Sequence, residues 1–438
     1  MALPQPLTEF EAEALFDPLG RYPHLALTVS GGPDSVALLH LVARWRERRG
    51  NAPRLTVLTV DHGLRPEARD EARLVARMAE RLGLPHAVLT WAREGRQSGG
   101  LQASARVARY DLLAAYCHRH AIPAMVTAHH LDDQAETVLM RLARGSGLDG
   151  LAAIPERSQW AGIAVLRPLL DVAKARLLAT LHAEHIAFAE DASNHDPRFE
   201  RARLRGGGDA MLRLGLSASA LARSARRLRR ARAALDHAAD AHLSAHGRIS
   251  EAGYGALDAR ALLAAPEEIA LRALARILTA VGGRDMPPQL AKLEALLTAL
   301  QQTPAKAHTI GGCRLQPRGH ELGVFRETRR RGLPVLTLAP GERALWDSRF
   351  RVALGGQERE PVTVRALGEA GWRERRQSSA WLAALPCLAG ATLPACWRGD
   401  ALLFVPELGD RGFGHEDAAQ HFMARFVNCP AGNEAARA

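Results

Sequence analysis

A short polar loop near the start of this 438-residue chain combines glycines, hydroxyls and a carboxylate. It follows an apolar segment, residues 24–29, and consists of Ser30, Gly31, Gly32, Pro33, Asp34 and Ser35. Glycines let the backbone turn tightly, and the N–H groups at the start of the helix that should follow face an anion. Asp34 is explained if a Mg²⁺ ion lies between its carboxylate and bound phosphates. The loop therefore predicts a phosphate site, against the alternative of an ordinary helix N-cap.

A second polar segment, residues 127–137, contains two adjacent histidines and three carboxylates. Asp132 and Asp133 both lie within one helical turn of Glu136. Carboxylates this close repel one another unless cations are present, and Mg²⁺ and a lysine ammonium are the natural candidates. A neighbouring histidine could neutralise the charge of a leaving group. A helix dipole alone would favour the two aspartates, but it does not explain the paired histidines.

Both polar segments belong to a repeating pattern of strands and helices. The predicted strands are residues 24–29, 55–60, 85–89 and 124–128, and the predicted helices are residues 34–49, 68–82, 101–120 and 132–144. Such alternation predicts an α/β fold with a doubly wound parallel sheet. Ligands bind such sheets beyond the carboxyl ends of the strands, and both polar segments lie just after strands.

The pattern changes near residue 206, where three consecutive glycines follow. Residues 209–302 predict long helices, residues 309–327 predict a hairpin, and the chain from 332 onward predicts short strands. We therefore predict three domains: an α/β catalytic domain at 1–206, a mainly helical domain at 207–331 and a small mixed α+β domain at 332–438.

The chain carries 58 Lys plus Arg against 47 Asp plus Glu, a net charge of +11. The lysines are Lys174, Lys292 and Lys306. All other basic residues are arginines, and genomic base composition is a simple explanation of this excess of arginine over lysine. The clustering of the arginines is more informative, because ten arginines and one acidic residue lie between Arg201 and Arg232. Helical spacing places four of them along one face: Arg223, Arg226, Arg227 and Arg230. Like charges packed in this way favour a polyanionic partner such as a nucleic-acid backbone.

Cysteines and apolar segments argue against several classes of protein. The five cysteines are widely spaced and include no C-x-x-C pair, which disfavours a disulfide scaffold, a zinc ribbon and a cysteine-ligated iron–sulfur centre. No uncharged apolar stretch reaches the length of about 18 residues that a transmembrane helix needs. The acidic N-terminus also lacks the basic start of a secretory signal. We therefore predict a cytoplasmic protein with no membrane partner.

Residues 30–35 resemble the pyrophosphate loop of the N-type ATP pyrophosphatases, the PP-loop superfamily, whose fold is of the adenine nucleotide alpha hydrolase-like type. Its members cleave ATP to AMP and pyrophosphate while they adenylate a substrate. Further segments resemble motifs of the tRNA(Ile)-lysidine synthetases within that superfamily. These segments are VDHGLR at 60–65, ARVARY at 105–110, AHHLDDQAET at 128–137, RGSGLDGL at 144–151, RPLL at 167–170 and DPRFER at 196–201. One departure is Ala202, which stands where the family has Asn.

The resemblance implies a two-step ligation on tRNA(Ile) with a CAU anticodon. ATP adenylates the C2 oxygen of the wobble cytidine, and the ε-amine of free L-lysine then attacks C2 and expels AMP. The resemblance also implies that ATP is bound by residues 30–35 with Asp61 and His62, and Mg²⁺ by Asp34 and Asp133. The residues expected to act on substrate or RNA are Asp34, Arg106, Arg109, His129 (or its neighbour His130), Asp133, Glu136, Arg201 and Arg205. The helical and C-terminal domains are expected to hold the tRNA through backbone contacts.

Two other functions stay open at this point. A tRNA sulfur transferase of the same superfamily needs catalytic or cluster-binding cysteines near the loop, where Cys117 stands alone. A non-catalytic nucleotide-binding or RNA-binding module would keep the fold without releasing pyrophosphate, but the clustered carboxylates argue for catalysis. The oligomeric state, including a homodimer, is also open.

Overall fold

The structure is a computed structural model that describes residues 4–61, 67–91, 101–189, 203, 204, 206, 208–284, 286–328, 332–408 and 422–427. The backbone divides into two compact units, Met1–Arg232 and Ala233–Ala438, which we call the first unit and the second unit. The border between them lies within a helix, and the domain borders near residues 206 and 331 stay predictions. Among the helices of these ranges, none is long and apolar enough to cross a membrane.

A six-stranded sheet forms the centre of the first unit. Its strands are β1 His24–Thr28, β2 Arg54–Asp61, β3 His86–Thr90, β4 Ala124–Val126, β5 Arg157–Trp160 and β6 Ile163–Leu166, in the order β3-β2-β1-β4-β6-β5. All neighbouring pairs are parallel except β5 with β6, which is antiparallel. The predicted parallel sheet is therefore confirmed. The short strands β5 and β6 were not predicted.

Helices cover both faces of this sheet, as a doubly wound fold requires. They are α1 Glu9–Phe16, a 3₁₀ turn at Asp17–Arg21, α2 Pro33–Glu47, α3 Glu67–Arg81, α4 Leu101–Arg119, α5 Leu131–Ala143, α6 Leu148–Leu151 and α7 Lys174–Ala183. Because successive side chains of a strand point to opposite faces, Leu25 and Leu27 of β1 pack into one core with α1, α2, α3 and α7. Ala26 packs into a second core, against α4. Two further helices follow in the chain, Gly208–Arg213 and Ala218–His246.

A five-stranded antiparallel sheet lies in the second unit, in the region predicted to be mainly helical. Its strands are β7 Gly247–Ile249, β8 Gly255–Asp258, β9 His308–Ile310, β10 Cys313–Arg318 and β11 Glu321–Arg326, in the order β7-β8-β11-β10-β9. The predicted hairpin is confirmed as β10 paired with β11, whereas β7 and β8 were not predicted. The helices Ala259–Ala264, Glu267–Gly282 and Leu290–Gln302 accompany this sheet, and their leucines share one core with it.

Two four-stranded sheets and three short helices form the last part of the second unit. The strands are β12 Leu336–Leu338, β13 Arg343–Trp346, β14 Phe350–Leu354, β15 Val362–Ala366, β16 Pro394–Arg398, β17 Ala401–Phe404, β18 Glu407–Leu408 and β19 Phe422–Phe426. The sheet orders are β12-β15-β16-β17 and β13-β14-β19-β18. The helices are Gly368–Arg375, Ala380–Ala384 and Cys387–Gly390. This arrangement agrees with the predicted mixed α+β fold.

A buried group of charges ties separate parts of the second unit together. Arg326 donates from Nε and Nη2 to the two carboxylate oxygens of Asp347, at 2.9 and 2.6 Å. Arg349 donates from Nε to Asp347 Oδ2 at 2.7 Å, and its other nitrogens donate to the carbonyls of Gly253 and Thr392. One carboxylate therefore holds two guanidinium groups in a region with almost no solvent access.

Candidate functional site

The loop of residues 30–35 has the geometry of an anion site at a helix N-terminus. Gly32 is the N-cap of α2 and Pro33 occupies its first turn. The backbone N–H of Ser30 donates to Ser35 Oγ at 3.1 Å, and Ser35 Oγ donates to the carbonyl of Gly32 at 2.9 Å. Gly31 has a φ of +94°, and a Cβ there would lie 3.3 Å from Cβ of Glu71. The predicted loop is thus held closed across its two ends, and the positive φ of Gly31 would strain any residue with a side chain.

The second polar segment lies at the carboxyl end of β4, which pairs with β1. Its helix α5 begins at Leu131, directly after His130. The backbone N–H of His130 donates to Asp133 Oδ2 at 3.0 Å, and Asp132 Oδ2 accepts the backbone N–H of Lys174 at 2.8 Å. Because neighbouring parallel strands end at the same side of a sheet, this segment lies beside the loop at 30–35.

His130 is the point at which the two segments meet. Its Nε2 lies 3.4 Å from Asp34 Oδ2 and 3.6 Å from Asp133 Oδ2, and its Nδ1 lies 3.6 Å from Asp132 Oδ2. Burial acts to lower the pKa of His130, but the carboxylates of Asp132 and Asp34 outweigh it and raise this pKa to about 10. His130 is therefore an imidazolium at neutral pH, and it neutralises part of the charge of the three aspartates.

Asp34 lies between two cations at the start of α2. Besides His130, Lys174 approaches it, with Nζ 3.5 Å from Asp34 Oδ2. Burial acts to raise the pKa of Asp34, but His130 and Lys174 outweigh it, so the pKa lies below its usual value. Asp34 is therefore a carboxylate at neutral pH. Its second oxygen, Oδ1, is buried and accepts no hydrogen bond from the part of the chain that the structure describes.

Lys174 was not among the residues predicted from the sequence. It begins α7, and Asp132 holds its backbone while Asp34 lies beside its ammonium group. Two features of the sequence could have pointed to it. Lysine is rare in this chain, with three in all, and Lys174 lies shortly after the segment RPLL at 167–170. An ammonium beside a phosphate loop can stabilise negative charge on phosphate oxygens.

The two histidines of the segment have different surroundings. His129 lies 2.7 Å from Thr127 Oγ1 through its Nδ1, while His130 faces the aspartates. The role predicted for His129 or its neighbour His130 stays a prediction, and the contacts of His130 with the aspartates favour His130. Glu136 lies on the same helix and is 7% exposed.

Asp34 and Asp133 were predicted to hold Mg²⁺, and the described residues allow a test of fit. Within these ranges, no group of three or more His, Cys, Asp and Glu side chains is arranged to hold a metal by itself. Mg²⁺ commonly binds through one or two carboxylates plus substrate phosphates and keeps several waters. Asp34 and Asp133 approach the same nitrogen of His130, and Asp34 Oδ1 is without a donor. The residues therefore fit an ion that is shared with nucleotide phosphates.

Other predicted site residues lie on neighbouring elements or outside the described ranges. Asp61 ends β2, the strand next to β1. Arg106 lies on α4 with its guanidinium 5.3 Å from the ring centre of Tyr110. Arg109 is half-buried on the same helix, and burial lowers its pKa. The predicted residues that fall outside the described part of the chain are His62, Arg201 and Arg205.

The arginines of the arginine-rich helix Ala218–His246 form two rows. Arg226, Arg229 and Arg232 contact other parts of the first unit, through Asp171, the carbonyls of Ala152 and Ile154, and Asp149, respectively. The exposed row consists of Arg223, Arg227 and Arg230. Arg226 is also exposed, as predicted, and its ion pair with Asp171 lies at the surface.

Comparisons with known proteins agree with this geometry. Residues 6–207 match the family model of the PP-loop domain. A tRNA(Ile)-lysidine synthase of Bradyrhizobium sp. strain BTAi1 is 48% identical over 308 residues, which cover 68% of this chain and 86% of that protein. The tRNA(Ile)-lysidine synthase of Ruegeria pomeroyi is 39% identical over 391 residues, 88% of each chain. That of Wolbachia pipientis wMel is 33% identical over 346 residues, 78% of this chain and 80% of the other. The chain therefore belongs to the tRNA(Ile)-lysidine synthase family.

Proposed function

We propose that this protein joins free L-lysine to C2 of the wobble cytidine in the CAU anticodon of tRNA(Ile), with cleavage of ATP to AMP and pyrophosphate. The observation that carries the proposal is the meeting of Asp34, His130, Asp133 and Lys174 beside the loop at 30–35. This group places two cations and two carboxylates where phosphates would lie. Relatives named for this reaction match most of the chain.

In the first step, the C2 oxygen of the cytidine attacks the α-phosphorus of ATP, and the bond to the β-phosphate oxygen breaks. The N–H groups at the start of α2 would bind the phosphates. Lys174 and His130 would stabilise the negative charge that accumulates on the departing pyrophosphate, because both are cations beside Asp34. A Mg²⁺ ion held by Asp34 and Asp133 would neutralise phosphate charge when it is bound.

In the second step, the ε-amine of lysine attacks C2, a proton leaves the amine, and AMP leaves with the bonding electrons and the C2 oxygen. Glu136 is the carboxylate that we assign to the ammonium of lysine, since it lies on α5, one helical turn from Asp132 and Asp133. Arg106 and Arg109 on α4 would hold RNA or phosphate.

The exposed row of Arg223, Arg227 and Arg230 would contact the phosphate backbone of the tRNA. Such contacts position an RNA without reading its sequence. The second unit would hold the rest of the tRNA. Free lysine, ATP and tRNA are all present in the cytoplasm, which we propose as the site of the reaction.

The alternative of sulfur transfer receives no support from Cys117. This thiol is fully buried under the sheet, and burial raises its pKa to about 11. A thiolate is the form that reacts or binds a cluster. The side chain is therefore held in its unreactive form.

The deciding experiment is incubation of the purified protein with labelled lysine, ATP, Mg²⁺ and unmodified tRNA(Ile) that has a CAU anticodon. We expect label in the tRNA and one AMP per lysine joined. The same tRNA with a CAU-to-GAU anticodon change serves as the control and should stay unlabelled. Absence of both label and AMP would contradict the proposed function. Release of AMP without incorporation of lysine would restrict the protein to the adenylation step.

A further inference from the structure

The carbonyl oxygen of Ile154 joins the arginine-rich helix to the helix that carries the aspartates. Gln134 of α5 donates from Nε2 to this oxygen at 2.8 Å, and Gln134 Oε1 accepts the backbone N–H of Ile154 at 2.9 Å. Arg229 donates from Nη1 to the same oxygen at 3.3 Å and to the carbonyl of Ala152 at 3.0 Å. One backbone oxygen therefore receives a hydrogen bond from each helix.

Apolar contacts run beside this polar connection. Ala135 and Val138 of α5 belong to one buried cluster with Leu221 and Ala225 of the arginine-rich helix. Gln134 is 1% exposed and lies between Asp133 and Glu136 in the sequence. Because these residues share one helical turn, a rotation of α5 that displaced Gln134 would displace the two carboxylates as well.

Arg229 differs from the exposed arginines of its helix. It is half-buried, and burial lowers its pKa, whereas Arg227 and Arg230 are exposed. Its Nη1 donates to two backbone carbonyls of the protein. A half-buried cation of this kind serves the protein's own backbone, because a polar group that loses its partner on burial is costly.

We propose that Arg229 is a positioning residue for the ligation reaction. Through the carbonyl of Ile154 it keeps Gln134 in place. Gln134 in turn fixes the orientation of α5 about its axis, and this orientation presents Asp133 and Glu136 to the substrates. The inference rests on the proposed function, since it concerns the same site. A misplacement of about 1 Å in reacting groups can lower a rate about 100-fold, so a bond remote from the substrates can govern kcat.

The test compares Arg229→Met with its exposed neighbour Arg230→Met under saturating ATP and lysine. We expect Arg229→Met to lower kcat by about 10-fold or more, with tRNA affinity and its salt dependence unchanged. Arg230→Met should show the opposite pattern, a higher Kd for tRNA and a smaller salt slope. Arg229→Lys should recover part of kcat, because an ammonium can donate to the same carbonyls. Loss of tRNA affinity in Arg229→Met with unchanged kcat would overturn the inference.

A double-mutant cycle with Gln134→Met separates positioning from general destabilisation. Both side chains act on the carbonyl of Ile154, so the double variant should lose less kcat than the product of the two single losses. Multiplicative losses would show independent effects and would overturn the inference. If Arg229→Met melts below the assay temperature, Arg229→Lys takes its place in the same cycle. An inactive wild-type protein would contradict the proposed function itself. An active wild-type protein whose single variants lower kcat independently would contradict only this inference.

Discussion

Lys174 Nζ lies 3.5 Å from Asp34 Oδ2, so the start of α7 places an ammonium group against the first turn of α2. The backbone of the same lysine is held by Asp132, at the start of α5. Three helices of the first unit therefore meet at one residue. We therefore include Lys174 in the proposed phosphate site.

We expect Lys174→Met to lower kcat/KM for ATP by about 10-fold to 100-fold, because a charged hydrogen bond contributes about 1.5–3 kcal/mol. Steady-state kinetics at saturating tRNA and lysine would measure the loss. Lys306→Met is the matched control, since Lys306 is exposed in the second unit and should leave this parameter unchanged. Equal kinetics for the two variants would remove Lys174 from the proposed site.

The histidine pair offers a second test. His130→Asn leaves Asp34, Asp132 and Asp133 without their shared imidazolium, and breaking a buried ion pair costs about 3–5 kcal/mol. We expect a lower free energy of unfolding for the first unit in the absence of metal, measured by urea denaturation. We expect a smaller effect for His129→Asn, because Nδ1 of His129 lies beside Thr127 Oγ1. The opposite order would contradict the assignment of His130 as the neutralising group.

The two rows on the arginine-rich helix predict different effects on RNA binding. Arg223→Gln and Arg227→Gln should each weaken tRNA binding and reduce the slope of log Kd against log salt by about 1. Arg229→Gln is the internal comparison, since Arg229 is half-buried, donates to the carbonyls of Ala152 and Ile154, and should leave the slope unchanged. Filter binding over a range of salt concentrations would measure all three. Identical slopes for the three variants would contradict the division into two rows.

Thiol reactivity follows from burial. Burial raises the pKa of Cys117 to about 11 and those of Cys313 and Cys396 to about 12. These three thiols should react slowly with Ellman's reagent at pH 8, because the thiolate is the reactive form. In a Cys387→Ser, Cys429→Ser variant, we expect little native reactivity and three rapid thiols after unfolding in guanidinium. Rapid native reaction of that variant would contradict the burial of these cysteines.

Replacing the carboxylate of Asp347 by an amide should lower the free energy of unfolding of the second unit. Asp347 has a φ of +51°, a conformation that asparagine tolerates, so Asp347→Asn removes the charge with little backbone effect. Two buried guanidinium groups would then lack a counter-charge, at a cost of about 3–5 kcal/mol. Urea denaturation would measure it. Asp400→Asn is the control, because Asp400 pairs with Arg365 in full contact with solvent and should leave stability unchanged.

The spacing of apolar residues predicted most helices and strands of the first unit, and the strands that it did not predict are very short. The predicted strand 24–29 corresponds to His24–Thr28, and the predicted helix 132–144 to Leu131–Ala143. The strands β5 and β6 have four residues each, too few to show a period of two. In the second unit, β7 and β8 are similarly short and follow a long helix.

The sequence could indicate site residues that lie close together in one short segment. It could not indicate residues that reach the site only through the packing of distant segments. Residues 30–35 and the carboxylates of α5 were found because each lies in one short segment. Lys174 comes to Asp34 only through the packing of α7 beside α2. His129 and His130 are adjacent, and only the start of α5 decides which imidazole faces the aspartates.

The strand β5 has a consequence for solubility. It forms one edge of the first sheet, runs opposite to the other strands and has only four residues, two of them exposed. Arg157 begins it, and Trp160 ends it with its indole N–H bonded to Asp111 at 2.8 Å. Short, charged edge strands are poor templates for strands of other molecules. This edge therefore disfavours aggregation by sheet extension.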